Sequence, residues 1–118
     1  MSASATPEDV KAWTGFVDAA DKCARSHLTY IPTQAAPVAD KLFAAEKRVR
    51  RKTMPWGQAV VGSPLFRLWT LSRDWRANPL EQRRETAQQM ADLVAAVRGA
   101  MGADQAQPQR RERRDIDG

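Results

Sequence analysis

The sequence predicts an all-α fold: a compact single-domain bundle of about four helices with a flexible Arg-rich C-terminal tail. Apolar residues recur at spacings of three and four in four separate segments, the pattern of helices that each bury one face. Three of those segments open on a capping residue followed by proline, Thr6-Pro7, Ser63-Pro64 and Asn78-Pro79. A capping side chain and then a preset φ are what a helix start favours. With 118 residues the chain allows one domain and excludes two independent ones.

The first helix is expected over residues 7–30. Glu8 and Asp9 suit the positive end of its dipole, and Val10, Trp13, Val17, Ala20, Ala24, His27 and Ile31 form its stripe. Phe16, Cys23 and Tyr30 widen that face, and Pro32 stops the helix. A second helix is expected over 37–53, with Val38, Leu42, Ala45 and Val49 inward and Pro55 ending it. Residues 53–63, with Gly57 and Gly62, are read as an ordered loop that leaves room for one extended stretch. The third helix, 64–76, is capped by Ser63 and carries Leu65, Leu68, Trp69, Ser72 and Trp75, with Phe66 and Leu71 beside them. It is apolar around much of its girth and is placed centrally. The fourth helix, 79–101, starts with Asn78 as cap and Glu81 reaching back to it, and buries Ala87, Met90, Val94, Val97 and Met101. Gly99 or Gly102 is expected to close it in the left-handed conformation. Residues 1–103 then form the helical domain, and 104–118 a mobile basic and polar tail. The core expected from these stripes is Trp13, Val17, Leu42, Val49, Leu68, Trp69, Met90, Val94 and Val97.

Charge is distributed unevenly. The chain carries +5 at pH 7 with a pI near 10.0. Residues 32–79 hold nine basic against three acidic groups, +6, more than the whole net charge. Such a field attracts phosphates or an acidic protein surface. The densest part is Lys47, Arg48, Arg50, Arg51 and Lys52, where like charges four apart on a helix repel unless something neutralises them. Arg67, Arg73 and Arg76 on the third helix extend it, and Trp56 follows it directly, placed either to stack on a base or to lid the core. Gly62 to Trp69 loosely resembles the turn and start of a recognition helix, but residues 58–61 are too short for the helix that should precede it.

Other chemistry has little support. One cysteine and one histidine cannot build a four-ligand zinc site, and Cys23 and His27, four apart on the first helix, read as a buried thiol beside a core histidine. The sequence has no Gly-rich phosphate loop and no nucleophile elbow. Asp18, Asp21, Asp40, Glu46, Glu85 and Asp92 stand singly and read as solvated. No run approaches a membrane span, and residues 1–9 lack the features of a signal peptide. The expectation is a cytoplasmic, non-catalytic protein without cofactor or metal. It associates with nucleic acid or a nucleoprotein complex through its basic centre. The alternative is a protein-binding adaptor or inhibitor, of the kind made by phages or mobile elements, docking on an acidic surface.

Overall fold

A computed structural model of the chain describes the backbone of residues 5–28, 32–75 and 80–117, and the side chains of 5–28, 37–75 and 83–102. It contains four helices, α1 (Pro7–Leu28), α2 (Pro32–Val49), α3 (Pro64–Arg73) and α4 (Leu80–Asp117), and no strand among the described residues. No helix among the described residues is long and apolar enough to cross a membrane.

The start of α1 is the one its sequence specifies. The Thr6 hydroxyl accepts from the Asp9 amide at 3.1 Å, while the Asp9 carboxylate accepts from the Thr6 amide at 2.9 Å. That reciprocal pair is a capping box, built with aspartate in place of the usual glutamate. Tyr30 and Ile31, expected on the end of the α1 stripe, lie outside the described residues.

Helix α2 departs from expectation at both ends. It begins at Pro32 rather than Pro37, which lies inside it. Pro37 is the sixth residue of α2, past the amides that lack a partner at a helix start, so it costs the helix one intrahelical hydrogen bond. It ends at Val49 rather than 53. The Lys52 amide turns back to the Val49 carbonyl at 3.0 Å, and the Lys52 carbonyl accepts the Trp13 indole N–H at 3.3 Å. The chain therefore leaves the helical path to reach α1.

Residues 53–63 form two turns instead of an extended stretch. Trp56 and Gly57 both have positive φ, 60° and 70°, and the Gln58 amide donates to the Pro55 carbonyl, the pattern of a type I′ turn. Gly62, at φ 94°, then lets the Ser63 amide reach the Val60 carbonyl. Ser63 has the extended conformation of an N-cap, but its hydroxyl makes no capping bond. The Gln58 side chain does this instead, its Oε1 accepting from the Leu65 amide at 3.1 Å.

Helix α3 is shorter than expected, ending at Arg73, with Trp75 buried just beyond. It is also not the central helix. That position belongs to α1, which packs along both α2 and α4, while α3 lies on α4 and touches α2 less. Leu65 and Leu68 of α3 are fully buried, but Phe66, Trp69 and Leu71 only partly. A ten-residue helix, about 15 Å long, cannot cover the length of its neighbours. Helix α4 passes through Gly99 and Gly102 and continues to Asp117, so neither glycine is the expected terminal cap. Each glycine costs a helix about 1 kcal/mol, and the helical backbone continues through both and through Pro108 as well. The segment 104–118, expected as a mobile tail, thus continues the α4 backbone as far as Asp117; its side chains, and the Asn78-Pro79 start with Glu81, lie outside the described residues.

The core unites Trp13, Phe16, Val17, Ala20, Cys23 and Ala24 of α1 with Leu42 and Val49 of α2, Leu65 and Leu68 of α3, and Met90, Val94 and Val97 of α4. Of the nine core residues expected, only Trp69 is not buried, because its indole N–H is engaged at the surface edge.

Candidate nucleic-acid interface

The basic run at the end of α2 does not present one face. Lys47 and Arg48 lie in α2, where each residue turns about 100° from the last, and Arg50, Arg51 and Lys52 follow in the turn after Val49, so neighbouring cations point to different sides. Arg48 and Lys52 face α1, where they border an open groove of about 570 Å³ together with Glu8, Lys11, Ala12 and Gly15. Lys11 and Arg48 are exposed and Lys52 is half-buried, and no ion pair ties any of the three among the described residues. Lys47 and Arg51 are exposed. Arg67 is exposed on α3, and Arg76 lies outside the described residues.

Arg50 points the other way. Its Nε and Nη2 donate to the Glu46 carboxylate at 2.9 Å and 2.6 Å. Glu46, read from sequence as solvated, is 3% exposed and also accepts the Trp69 indole N–H at 3.0 Å. Arg73 lies over the Trp69 ring, 4.8 Å from its centre. The Arg50 hydrogen bond, helped by that of Trp69, holds the Glu46 carboxyl below its ordinary range against the opposing effect of burial. Glu46 therefore cancels the charge of Arg50 and fixes Trp69, so Arg50 and Arg73 belong to a bracing network between α2 and α3. Like-charge repulsion within the run is relieved here by a carboxylate of the same helix.

Asp21, expected from sequence to be solvated, is a second buried acid. It accepts from Arg25 at 2.7 Å and from Arg98 of α4 at 3.0 Å, and Arg98 also reaches Asp18 at 2.9 Å. Both Asp21 and Glu46 stand at helical spacing within apolar stripes, Val17–Asp21–Ala24 and Leu42–Glu46–Val49. That position is the signal that could have found them.

Trp56 is half-buried and packs against the core, closer to a lid than to a free platform. Its φ of 60° is uncommon for a residue with a side chain and is held by the turn it occupies. Beyond it, Val60 and Val61 are 63% and 81% exposed. The Gly62–Trp69 likeness to a recognition helix does not extend to its surroundings: residues 50–63 separate α2 from α3, where that motif has a turn of three or four residues.

Cys23 is fully buried, and burial pushes its thiol up to about 12, so it carries no thiolate near neutrality. His27 meets Trp75 edge-on at 4.8 Å. Burial, and secondarily the Arg83 charge, lowers its affinity for a proton. The pair has neither the activated thiol nor the exposure that nucleophilic chemistry needs. No group of three or more metal-ligating side chains occurs among the described residues. No protein-family model, curated protein or solved structure matches the chain.

Proposed function

We propose that the chain is a non-catalytic, cytoplasmic helical protein that holds the phosphate backbone of nucleic acid, alone or in a nucleoprotein complex. It does so at the end of α2 and the groove this end shares with α1. The observation that supports this reading is that Lys11, remote in sequence, borders the same open groove as Arg48 and Lys52. Three cations border one concavity, Lys47 and Arg51 follow on the same run, and Glu8 is the one carboxylate among the described residues that border it, which together favour an anionic ligand. Contacts of this kind give affinity and salt sensitivity without sequence choice.

The test is a titration of labelled duplex and single-stranded oligonucleotides across a salt series. Replacing Arg48 or Lys52 by Ala should weaken binding equally across unrelated sequences. Each should also lower the slope of log affinity against log salt by about 0.9 for duplex or about 0.7 for a single strand. No association with either at about 50 mM salt would overturn the reading. The exposed Val60-Val61 tip favours a second reading, an adaptor that seats this loop on a protein. Partners retained after nuclease treatment would favour the adaptor.

A further inference from the structure

The groove beside Lys11, Arg48 and Lys52 has Gly15 on its border. The same glycine borders a second cavity of about 150 Å³, formed by Asp18, Ala19 and Lys22 of α1 with Val38 and Lys41 of α2. The two cavities share this one residue and lie one after the other along the α1–α2 seam, together a furrow interrupted only at Gly15. Its walls carry matched cations. Lys11 and Lys22 stand eleven positions apart on α1, and Lys41 and Lys52 eleven apart on the other wall, with Arg48 between the latter. On α1 eleven helical residues span about 16 Å, while Lys52 on the other wall lies past the end of α2 at Val49. Of the two carboxylates on the furrow, Asp18 is paired with Arg98, and Glu8 sits at one end. Asp9, near Lys52, is engaged in the capping box.

Gly15 is the unexpected residue in the middle. It is helical, lies inside α1, and a Cβ built on it meets nothing within 4 Å. Neither its φ nor close packing calls for glycine, and alanine would favour the helix more. What the missing side chain leaves is clearance at the point where the two cavities meet.

We propose that this seam is a track for the sugar–phosphate backbone of a single nucleic-acid strand, gripped by cations on both walls and passing over Gly15. The inference rests on the nucleic-acid reading above and narrows it. Packed helices lie about 8–10 Å apart, so the furrow between them is narrow. A flexible strand can settle into it, whereas a rigid duplex can only lie across its lips. The apolar lining is small, Ala12, Ala19 and Val38, and among the described residues that border the furrow none is an aromatic that could stack a base or anchor a peptide. Charge is what the furrow offers, and a regularly charged backbone matches it better than an acidic peptide.

The experiment is fluorescence anisotropy with labelled oligothymidylates of about 5 to 20 nucleotides, a duplex of the same length as the longest, and unlabelled polyglutamate as competitor. The wild-type chain should bind the longest strand more tightly than the duplex. Gly15→Gln should cut that affinity about tenfold while leaving the thermal melt unchanged or raised, and Gly15→Ala should bind as wild type does. Lys22→Ala and Lys41→Ala, both exposed positions, should each lower the salt slope by about 0.7. If Arg48→Ala weakens binding while the Gly15, Lys22 and Lys41 variants do not, the track is wrong and the broader reading stands. Absence of binding to strand and duplex alike overturns both. Competition by polyglutamate as effective as by unlabelled strand also overturns the track, in favour of an acidic protein segment.

Discussion

Glu46 and His27 are the side chains whose surroundings most constrain what the chain does as pH changes. Glu46 accepts from Arg50 and Trp69 while almost fully buried, so Glu46→Gln should cost about 1–2 kcal/mol near neutral pH, the loss of charge-assisted hydrogen bonds. The exposed Arg50 is rehydrated, which keeps the loss below that of a sealed ion pair. Because the folded chain lowers the Glu46 pKa, its stabilisation is complete above the unfolded carboxylate range and is lost as pH falls through the folded value. Urea melts of wild type and Glu46→Gln should therefore differ at pH 7 and converge as pH falls below the ordinary carboxylate range. A difference that persists undiminished at low pH would show that the carboxylate charge is not what holds the network. His27 behaves in the same direction for a different reason. Burial and Arg83 disfavour its protonated form, so below about pH 6.5 the unfolded chain takes up the proton more readily than the folded one. Its stabilisation is present above that pH and lost on descent toward the folded value, and His27→Gln should flatten the stability profile there. Lys11 escaped the sequence reading because nothing local links it to Arg48 and Lys52; only the packing of α1 on α2 brings them to one groove.

Helix boundaries were legible where a local hydrogen bond sets them and illegible where a distant contact does. Thr6, Pro7 and Asp9 fix the start of α1 within four residues of sequence, and the structure follows them. The end of α2 depends on the Trp13 indole taking the Lys52 carbonyl, a contact 39 residues long. The start of α3 at Pro64 is legible from Ser63-Pro64, but its cap is not, since Gln58 reaches across seven residues to the Leu65 amide. This gives a discriminating pair of substitutions. Gln58→Ala should destabilise the chain by about 0.5–2 kcal/mol, the usual worth of a cap. Ser63→Ala should change it by less than about 0.5 kcal/mol, since the serine hydroxyl caps nothing. Denaturant midpoints with unchanged slope would read both. The reverse order of costs would return the cap to Ser63.

Four apolar stripes sufficed to specify an all-helical bundle, because a stripe of this kind is stable only when another element covers it. They did not specify which helix is central, because the number of partners a face meets is set by helix length and crossing geometry as much as by its composition. α1 is the hub, and α3 reaches the core chiefly through Leu65, Leu68 and the following Trp75, packed on α4 and the end of α2. That arrangement makes Leu68 the best probe of whether α3 melts with the rest. It is fully buried, and Leu68→Ala leaves a cavity, so the expected loss is about 2–5 kcal/mol. Trp69 and Trp75 report from α3 and just beyond it, Trp56 from the loop before it and Trp13 from α1, while far-UV circular dichroism reports mainly from the longer helices. If the bundle is one cooperative unit, both signals should give the same lowered midpoint in the variant. If α3 is an appendage, the fluorescence transition should move to lower denaturant while the dichroism transition stays near that of wild type. The basic furrow would survive in that second case, because both of its walls belong to α1, α2 and the residues just after α2, and none belongs to α3. Strand binding by Leu68→Ala, measured at a denaturant concentration between the two midpoints, would then persist; in a single cooperative unit it would disappear together with the helical signal.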